Sequence, residues 1–528
     1  MNQSGSFLRL RDIHVGRRGA PRPQLDCFSL TMAPGEAVVL LGEAGCGKEA
    51  LMRALSGVPL RGDEIGGTLQ FGETEPERAG RRLSQLRVAY LTGPRACPLY
   101  PNASVLSQLV RILSTRLDAP RSSARAELEL VLGRMPAAPT LTELDKRPAK
   151  LDAATIAWGL FATAFAQTPD LLLADHPLTG IEPVKMRAFV DVLKSEQKRQ
   201  GFMLLYAAMG TEVPALLGGR MIVMRRGRVV EEGPLSRLSG AQAHAYTRML
   251  LRDRAPLASE TPRTAGRGEP VLQIYDLELP STRHKSAARP RDRLTFELRR
   301  GAALALVGED GSGRHALARR IIGLERVRSG RVVLDAVDIG ILSETMLTRL
   351  RRRVAYITGD DHALDPRMTI ADTVSEPLRA HLGLPRDIIS GYREAALKRV
   401  GLASLPGTRP VATLSPFDKR RLQVARAIVT APLLAVLDEP LSGLDAFAQS
   451  VMRDLLRVFR AEEGPALLLI TSDFSVARSL AETAFVFKNG AIVERGPIAE
   501  MMSAPKDIST RTLVDAVRMP ETPSGGLS

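Results

Sequence analysis

The sequence predicts an α/β fold that occurs twice in one chain. A glycine-rich loop follows an apolar run in each half, at residues 42–49 (GEAGCGKE) and at residues 308–315 (GEDGSGRH). Further along, a second apolar run ends in an acid, at residues 169–175 (PDLLLAD) and at residues 432–438 (PLLAVLD). Such runs are typical of parallel strands that are buried on both faces. Nearly the same distance separates the two loops as separates the two acids, which indicates a duplicated domain.

Each copy begins with the same succession of elements. An edge strand comes first, and a buried apolar strand precedes each glycine loop. We predict these four strands at residues 7–15 and 37–41 and at residues 271–279 and 302–307. The helix after the second loop carries Leu317, Ile321 and Ile322 at helical spacing.

A polar stretch rich in Pro, Gly, Ser and Thr separates the two copies. This composition is typical of a linker. We therefore expect a first domain at residues 1–251, a linker at residues 252–270 and a second domain at residues 271–528.

Both glycine loops have the frame of a phosphate-binding P-loop, G-x-x-x-x-G-K-[S/T]. The glycines let backbone N–H groups turn towards a phosphate, and the helix N-terminus adds partial positive charge. We assign six glycines and two cations to ATP binding: Gly42, Gly45, Gly47, Lys48, Gly308, Gly311, Gly313 and Arg314.

The same loops depart from the frame where the chemistry is most demanding. In the first loop Glu49 replaces the hydroxyl that ligates Mg²⁺. In the second, Arg314 replaces the lysine and His315 replaces the hydroxyl. Glu49 is an oxygen donor that suits Mg²⁺, but it also adds negative charge beside the phosphates. The glycines thus identify the fold, whereas the substitutions put the chemistry in question.

The acids that end the two apolar runs are candidate Mg²⁺ positions. Asp175 and Asp438 are expected at the carboxyl edge of a parallel sheet, where open α/β folds hold their ligand. In P-loop NTPases an acid in this place holds Mg²⁺. A strand-end cap is the alternative role, and the flanking apolar runs favour the Mg²⁺ position.

Two stretches of the second half resemble the most specific motifs of ABC ATPases. Residues 437–445 (LDEPLSGLD) resemble the Walker B motif with the D-loop, and residues 414–427 (LSPFDKRRLQVARA) resemble the signature motif and its helix. Residues 365–370 (DPRMTI), 375–379 (SEPLR) and 244–251 (HAYTRMLL) look like the dipeptide, oligopeptide and nickel importers of that family. The chain is therefore similar to two fused ABC domains, and the resemblance implies a helical subdomain and a small C-terminal extension in each.

The resemblance also implies partners and a location. An importer ATPase works with membrane permease subunits and, through them, with a solute-binding protein. The chain would then be cytoplasmic and peripheral on the inner face of the cell membrane. In ABC proteins each nucleotide lies between the P-loop and Walker B of one half and the signature of another. The two halves would pair with each other or with a second chain.

Site one would combine the first P-loop with the second signature. It keeps Lys48, Asp175 and the signature residue Ser415. Besides Glu49, five positions depart from the family pattern. They are His176 for the general-base glutamate, Gly93 for the Q-loop glutamine, Ala207 for the switch histidine, Arg17 for the A-loop aromatic and Pro416 for a signature glycine.

Site two would combine the second P-loop with the first signature. It keeps Asp438 and Glu439, and Glu439 is the candidate general base. The other positions depart from the pattern: Arg314 and His315 in the loop, Gly359 for the glutamine, Ser472 for the switch histidine, Asp152 for the signature serine, and residues 180–182 (GIE) in the first D-loop.

Each site has therefore lost part of its catalytic machinery. A positioned general base contributes about 10²–10⁴-fold in rate, and electrostatic clamps on the phosphoryl group are often the larger effect. We expect little hydrolysis, and we expect any ATP to bind first at site one.

The composition limits the remaining functions. The net charge of +15 is consistent with an arginine-rich surface, and the 4% aromatic content leaves little for stacking on bases. We therefore expect no nucleic-acid partner. The three cysteines have no metal-ligand spacing. No apolar run reaches the roughly 18 residues of a membrane span, and residues 1–6 (MNQSGS) lack the features of a signal peptide.

Three functions are compatible with these motifs. The chain is a working importer ATPase with tolerated substitutions, a pseudo-ATPase that acts as a scaffold or regulatory binding protein, or a tandem ABC protein acting on ribosomes or DNA. The third is disfavoured because the linker is short and zinc-binding cysteine clusters are missing from the sequence. We expect the ATP-binding subunit of a peptide- or nickel-type importer with impaired hydrolysis, with the pseudo-ATPase as the alternative.

Overall fold

A computed structural model of the chain describes residues 7–517 except 18–21, 81–85, 95–96, 98, 241, 252–268, 279–292, 328, 361–362 and 461–463. The expected linker lies almost wholly outside the described residues, so the domain boundaries stay predictions.

The first half contains a four-stranded antiparallel sheet and a six-stranded sheet. Their orders are β2-β1-β4-β5 and β10-β9-β3-β8-β7-β6. The strands are β1 (Leu8–Arg17), β2 (Leu25–Met32), β3 (Ala37–Leu41), β4 (Asp63–Phe71), β5 (Glu77–Arg78), β6 (Val88–Thr92), β7 (Leu171–Asp175), β8 (Met203–Ala207), β9 (Arg220–Arg225) and β10 (Arg228–Pro234).

The helices of the first half follow the loops between these strands. They are α1 (Lys48–Ser56), α2 (Val105–Leu117), α3 (Arg121–Leu132), α4 (Leu141–Leu144), α5 (Ala153–Phe165), α6 (Pro183–Gln200), α7 (Glu212–Leu217), α8 (Leu235–Leu238) and α9 (Ala245–Leu251). Helices α2 to α5 lie between β6 and β7 in the chain and pack on one another, which forms the expected helical subdomain.

The second half repeats this plan. Its sheets have the orders β12-β11-β14-β15 and β16-β17-β18-β13-β19-β20. The strands are β11 (Pro270–Leu277), β12 (Leu294–Arg299), β13 (Ala303–Gly308), β14 (Arg331–Leu334), β15 (Val337–Asp338), β16 (Val354–Thr358), β17 (Leu434–Asp438), β18 (Ala466–Thr471), β19 (Thr483–Lys488) and β20 (Ala491–Pro497).

The helices of the second half complete the repeat. They are α10 (Arg314–Ile321), α11 (Glu344–Arg351), α12 (Ile370–Leu382), α13 (Arg386–Arg399), α14 (Pro416–Ile428), α15 (Ala446–Arg460), α16 (Phe474–Leu480), α17 (Ile498–Ser503) and α18 (Ile508–Val517). Read from its opposite edge, the six-stranded sheet of the first half matches that of the second strand for strand. The duplication predicted from the sequence is thus confirmed.

The apolar runs of the sequence are explained by burial on both faces of the six-stranded sheets. On β3, Val39 and Leu41 pack into the core beneath the helical subdomain. Val38 and Leu40 pack into the core that lies towards α1 and the four-stranded sheet. A strand covered on both sides has no polar face, so its sequence shows no alternation. The strand predicted at residues 37–41 is confirmed, and the one predicted at residues 302–307 begins and ends one residue later.

The two halves touch through equivalent elements. Helix α9 of the first half contacts α15 of the second, and α18 of the second contacts α6 of the first. The backbone N–H of Ala446 donates to the carbonyl of Met209 at 2.8 Å. Phe447 packs against the core of the first half, and Val184 packs against the core of the second. The two contacts are equivalent. In each, the helix that follows the second apolar strand of one half, α6 or α15, contacts the C-terminal helix of the other half, α18 or α9.

Candidate functional site

The glycines of the first loop are required by a close approach of backbones. Gly42 and Gly47 have φ values of 151° and 113°. A Cβ atom on Gly42 would lie 2.3 Å from the carbonyl oxygen of Met224, and one on Gly47 would lie 2.7 Å from that of Gln24. Other residues would force these strands apart, so the loop keeps its N–H groups in a tight turn before α1.

Lys48 lies beneath this loop with its side chain almost wholly buried, at 3% exposure. Its Nζ donates to the carbonyl oxygens of Gly42 at 2.6 Å and Glu43 at 3.1 Å. Within the described part of the chain, no carboxylate lies within ion-pair distance of Lys48. Its ammonium is therefore satisfied by backbone carbonyl oxygens rather than by a direct ion pair with a described residue.

Asp175 ends β7 close to this lysine. The hydroxyl of Tyr90 donates to Asp175 Oδ2 at 2.6 Å, and Nε2 of His176 lies 3.7 Å from Oδ1. Burial and the charge of Lys48 lower the pKa of His176 to about 4. The imidazole is therefore neutral at neutral pH.

The second loop differs because its cation is already paired. Arg314 begins α10, and its side chain is 1% exposed. Its guanidinium donates to the carbonyl oxygen of Gly308. Its Nη2 lies 3.0 Å from Asp310 Oδ1, 3.1 Å from Glu439 Oε1 and 3.8 Å from Glu182 Oε1. Three carboxylates from three different elements therefore surround the residue that stands at the phosphate-lysine position.

His315 occupies the position of the Mg²⁺-ligating hydroxyl, and its Nδ1 lies 2.8 Å from Asp438 Oδ1. Burial alone would lower the pKa of His315, but its contacts with Asp310 and Asp438 outweigh that effect and raise the pKa to about 9. The hydroxyl of Tyr356 also donates to Asp438. A charged imidazolium thus pairs with the acid that we expected to hold Mg²⁺.

Three neighbouring groups donate hydrogen bonds to Glu439, the candidate general base. It accepts hydrogen bonds from Ser472 N at 2.7 Å and from Thr471 Oγ1 at 3.2 Å, besides the one from Arg314. Burial raises the pKa of Glu439. Its φ is 47°, and that of His176 at the equivalent place is 48°. Both halves keep the same uncommon left-handed backbone after the strand.

The two glycines at the Q-loop positions leave no room for a side chain. A Cβ atom on Gly93 would lie 2.7 Å from the carbonyl oxygen of His176. A Cβ atom on Gly359 would lie 2.4 Å from that of Glu439. A glutamine at either position would therefore require the backbone to move, which could not be foreseen from the sequence.

Each signature residue caps the helix of its own half. Ser415 Oγ accepts from Asp418 N at 3.1 Å at the start of α14. Asp152 Oδ1 accepts from Thr155 N at 2.8 Å at the start of α5, and its Oδ2 lies 3.2 Å from Lys185 Nζ. Neither residue lines the cavity beside the second loop. The alignment of Asp152 with Ser415 is therefore supported by identical capping positions.

That cavity, of about 590 Å³, lies between the first D-loop and the second P-loop. Asp438 and Glu439 line it together with His315. Its lining carries seven carboxylates and one imidazole: Glu182, Glu212, Asp310, Asp360, Asp438, Glu439, Asp473 and His315. Burial raises the pKa values of Glu182 and Glu439, but the other carboxylates still outnumber the cationic His315, so the lining is unfavourable for a triphosphate.

Two contacts on the glycine loops come from D-loop acids of the opposite half. Asp445 Oδ2 accepts from Ala44 N at 2.8 Å, and Glu182 Oε1 accepts from Asp310 N at 2.5 Å. The sequence identified residues 180–182 only as a departure from the family pattern. The equal spacing of Glu182 from Asp175 and of Asp445 from Asp438 was the signal that could have paired them.

A further residue on the first loop also escaped the sequence reasoning. The hydroxyl of Tyr246, from α9, accepts from Glu43 N at 3.2 Å. The C-terminal extension of the first half therefore touches the loop directly.

The ABC transporter family model matches this chain twice, at residues 25–179 and 291–442. The chain belongs to the ABC transporter family. It is 29% identical to the peptidoglycan transport ATP-binding protein YejF of Agrobacterium fabrum, over 97% of this chain and 96% of that protein. It is 28% identical to the glutathione import ATP-binding protein GsiA of Escherichia coli K12, over 94% of this chain and 86% of that protein.

Among solved structures, cbiO1 of Clostridium perfringens is 25% identical with a TM-score of 0.40, over 45% of this chain and 92% of that one. The predicted fold, two ABC domains in one chain, is confirmed by the two matched ranges and by the repeated sheet order. The assignments of single residues to ATP and Mg²⁺ stay predictions.

We expect the thermal stability of this ABC protein, measured in EDTA, to fall as the pH rises from about 7 to above 9. Because the folded-state pKa of His315 is raised from an ordinary value near 6.5 to about 9, its pairing stabilises the fold fully below pH about 6.5. That contribution is lost as the pH passes through about 9.

Circular-dichroism melting curves of the wild type and of His315→Gln measure this contribution. The difference between their melting temperatures should shrink over that pH range. A constant difference would contradict the pairing of His315 with Asp438.

Proposed function

We propose that this protein is the ATP-binding subunit of an ABC importer for peptides or peptide-like solutes. Relatives that align with at least 94% of the chain are named for peptidoglycan transport and glutathione import. The single observation that supports this assignment is a contrast between two cations. Among the residues that the structure describes, no carboxylate lies within ion-pair distance of Lys48, whereas three lie within that distance of Arg314. We propose that nucleotide binding is confined to site one.

The residues of site one fit Mg²⁺ and ATP in part. The N–H groups of the first loop and the ammonium of Lys48 suit phosphate oxygens. We propose that Asp175 holds Mg²⁺; it contacts Tyr90 and the neutral His176, whereas Asp438 faces a charged imidazolium. Glu49 offers a further oxygen. Ser415 from the second half would complete the site.

The residues of site two do not fit Mg²⁺ and ATP. Nη2 of Arg314 is engaged by Asp310 and Glu439, with Glu182 at 3.8 Å. Asp438 is engaged by His315 and Tyr356. A metal ion or a phosphate would have to displace these partners within an acidic cavity.

Hydrolysis is expected to be impaired at both sites for different reasons. At site one the neutral His176 stands where the family places its base, and Ala207 stands for the switch histidine. At site two Glu439 is tied to Arg314 and faces a loop that does not fit ATP. This division also supports the second candidate, a regulatory ABC protein that binds nucleotide without turnover.

The partners follow from the same family relationship. No described helix has the length and apolar character needed to cross a membrane. We propose that the protein is cytoplasmic, that it reaches the membrane through permease subunits, and that these connect it to a solute-binding protein. The contacts of the D-loops support pairing of the two halves with each other rather than with a second chain.

Purified protein should release phosphate from ATP at a rate close to background. Glu439→Gln should leave this rate unchanged, because Glu439 is not acting as a base. His176→Glu should raise it measurably, because it places a carboxylate at the base position of the site with the free lysine; a base contributes up to about 10²–10⁴-fold when the rest of the site is intact. A robust wild-type rate that Glu439→Gln abolishes would contradict the assignment.

Nucleotide binding should depend on Lys48 and not on Arg314. Losing a charged hydrogen-bond partner costs about 1.5–3 kcal/mol, so Lys48→Ala should weaken binding of a fluorescent ATP analogue about ten- to a hundredfold. Arg314→Gln should change the affinity little. Glutamine is chosen because it removes the positive charge but keeps an amide that can donate to Glu439 and Asp310.

Lys194→Ala is the matched control, since Lys194 lies on α6 away from both loops and donates to the carbonyl of Leu216. If Arg314→Gln abolishes binding while Lys48→Ala is silent, site two is the binding site and the proposal fails.

A further inference from the structure

We propose that the first D-loop and the second P-loop form a clasp that holds the two halves together without nucleotide. The clasp consists of Glu182 from the first half and of Asp310, Arg314 and Glu439 from the second. It rests on the proposed misfit of site two towards ATP, and it does not depend on transport or on any substrate.

Glu182 is the part of the clasp that crosses between the halves. Its side chain is 7% exposed, and its Oε1 accepts the hydrogen bond from Asp310 N at 2.5 Å. Glu182 stands at the N-cap position of α6, yet its side chain accepts no capping hydrogen bond there. Oε1 is instead directed at the opposite half, while Oε2 lies 3.5 Å from Nζ of Lys185 in its own half.

The equivalent acid at site one behaves differently. Asp445 accepts from Ala44 N at 2.8 Å across the interface, but its other oxygen caps its own helix through Ala448 N at 2.8 Å. Lys48 lies beyond ion-pair distance of it. The same loop-to-loop contact therefore exists twice, and only at site two does the loop cation take part.

Arg314 makes the clasp independent of a ligand. In an ABC site the loop cation is matched by phosphate, whereas here it is matched by Asp310 and Glu439 of its own half, with Glu182 of the other half at 3.8 Å. A planar guanidinium can serve several carboxylates at once, which a lysine ammonium does less well. The charge that nucleotide would supply at this interface is thus supplied by side chains.

Glu182 need not be ionised for the clasp to hold. Burial and the neighbouring Asp310 raise the pKa of Glu182 to about 7. A neutral carboxyl group keeps a carbonyl oxygen that accepts the N–H of Asp310. Glutamine is therefore a conservative replacement at this position, and alanine is not.

The consequence is an asymmetric ABC pair. The halves stay in contact at site two whether or not ATP is present, and only site one responds to nucleotide. The first D-loop is then a fixed contact, whereas the second D-loop is the one that nucleotide regulates.

Hydrogen–deuterium exchange of the full-length protein in EDTA, read by mass spectrometry, tests this inference. Amides of the second loop, residues 308–316, should be protected without nucleotide, and Mg²⁺ with ATP should not increase that protection. Glu182→Ala should speed their exchange about five- to a hundredfold, the loss expected when a partly buried N–H is left without its acceptor. Glu182→Gln should retain most of the protection.

Two controls separate the clasp from general loosening. Glu129→Ala, on the exposed face of α3, should leave residues 308–316 unchanged, and Glu182→Ala should leave the first loop, residues 42–48, unchanged. Unprotected residues 308–316 in the wild type, or protection that appears only with Mg²⁺ and ATP, would overturn the inference. So would an unchanged exchange rate in a folded Glu182→Ala protein.

If Glu182→Ala does not fold, the wild type with and without nucleotide and Glu182→Gln still decide the question. The exchange rates do not report on turnover, so a protein that hydrolyses ATP robustly can still carry the clasp, and a protein without turnover can lack it.

Discussion

The asymmetry of this protein depends on the burial of Arg314 among Asp310, Glu439 and Glu182. A buried charge is costly unless it is paired or hydrogen-bonded, and in the second loop carboxylates of the protein pair with the buried cation. His315 does the same for Asp438. The side chains at the positions expected for phosphate and metal binding are therefore already paired with each other. We infer that the second site serves as part of the interface between the halves.

The backbone of the two halves has changed far less than their chemistry. The six-stranded sheets share one strand order, and the residue after each strand-end acid keeps the same left-handed conformation. One half places His176 there and the other Glu439. The P-loop lysine, Lys48, is kept only in site one, and the glutamate at the base position, Glu439, is kept only in site two. Neither site therefore has both.

The duplicated fold, its buried strands and its glycine loops could be predicted from the sequence, because the signals for them are local. Continuous apolar runs mark strands that are covered on both faces, and the glycines at Gly42 and Gly47 mark turns where backbones nearly touch. The family motifs around Ser415 and Glu439 then identified the fold. These signals depend only on residues that are neighbours in the chain.

The rest could not be predicted, because it depends on residues that meet only in three dimensions. The sequence analysis assigned Arg314 to phosphate binding. Nothing in the residues that flank Arg314 indicated that Glu182, more than a hundred residues away in the chain, would lie near it. Tyr246 lies in a stretch identified for its family resemblance, yet its contact with Glu43 is visible only in the fold. The lack of space at Gly93 and Gly359 likewise comes from a neighbouring strand.

A crystal structure of the protein with Mg²⁺ and a non-hydrolysable ATP analogue at saturating concentration tests the central claim most directly. The account predicts electron density for one nucleotide per chain, against the first loop and Lys48, with Arg314 still paired to Asp310 and Glu439. A second nucleotide against the second loop, with Arg314 turned from its carboxylates towards the phosphates, would contradict it.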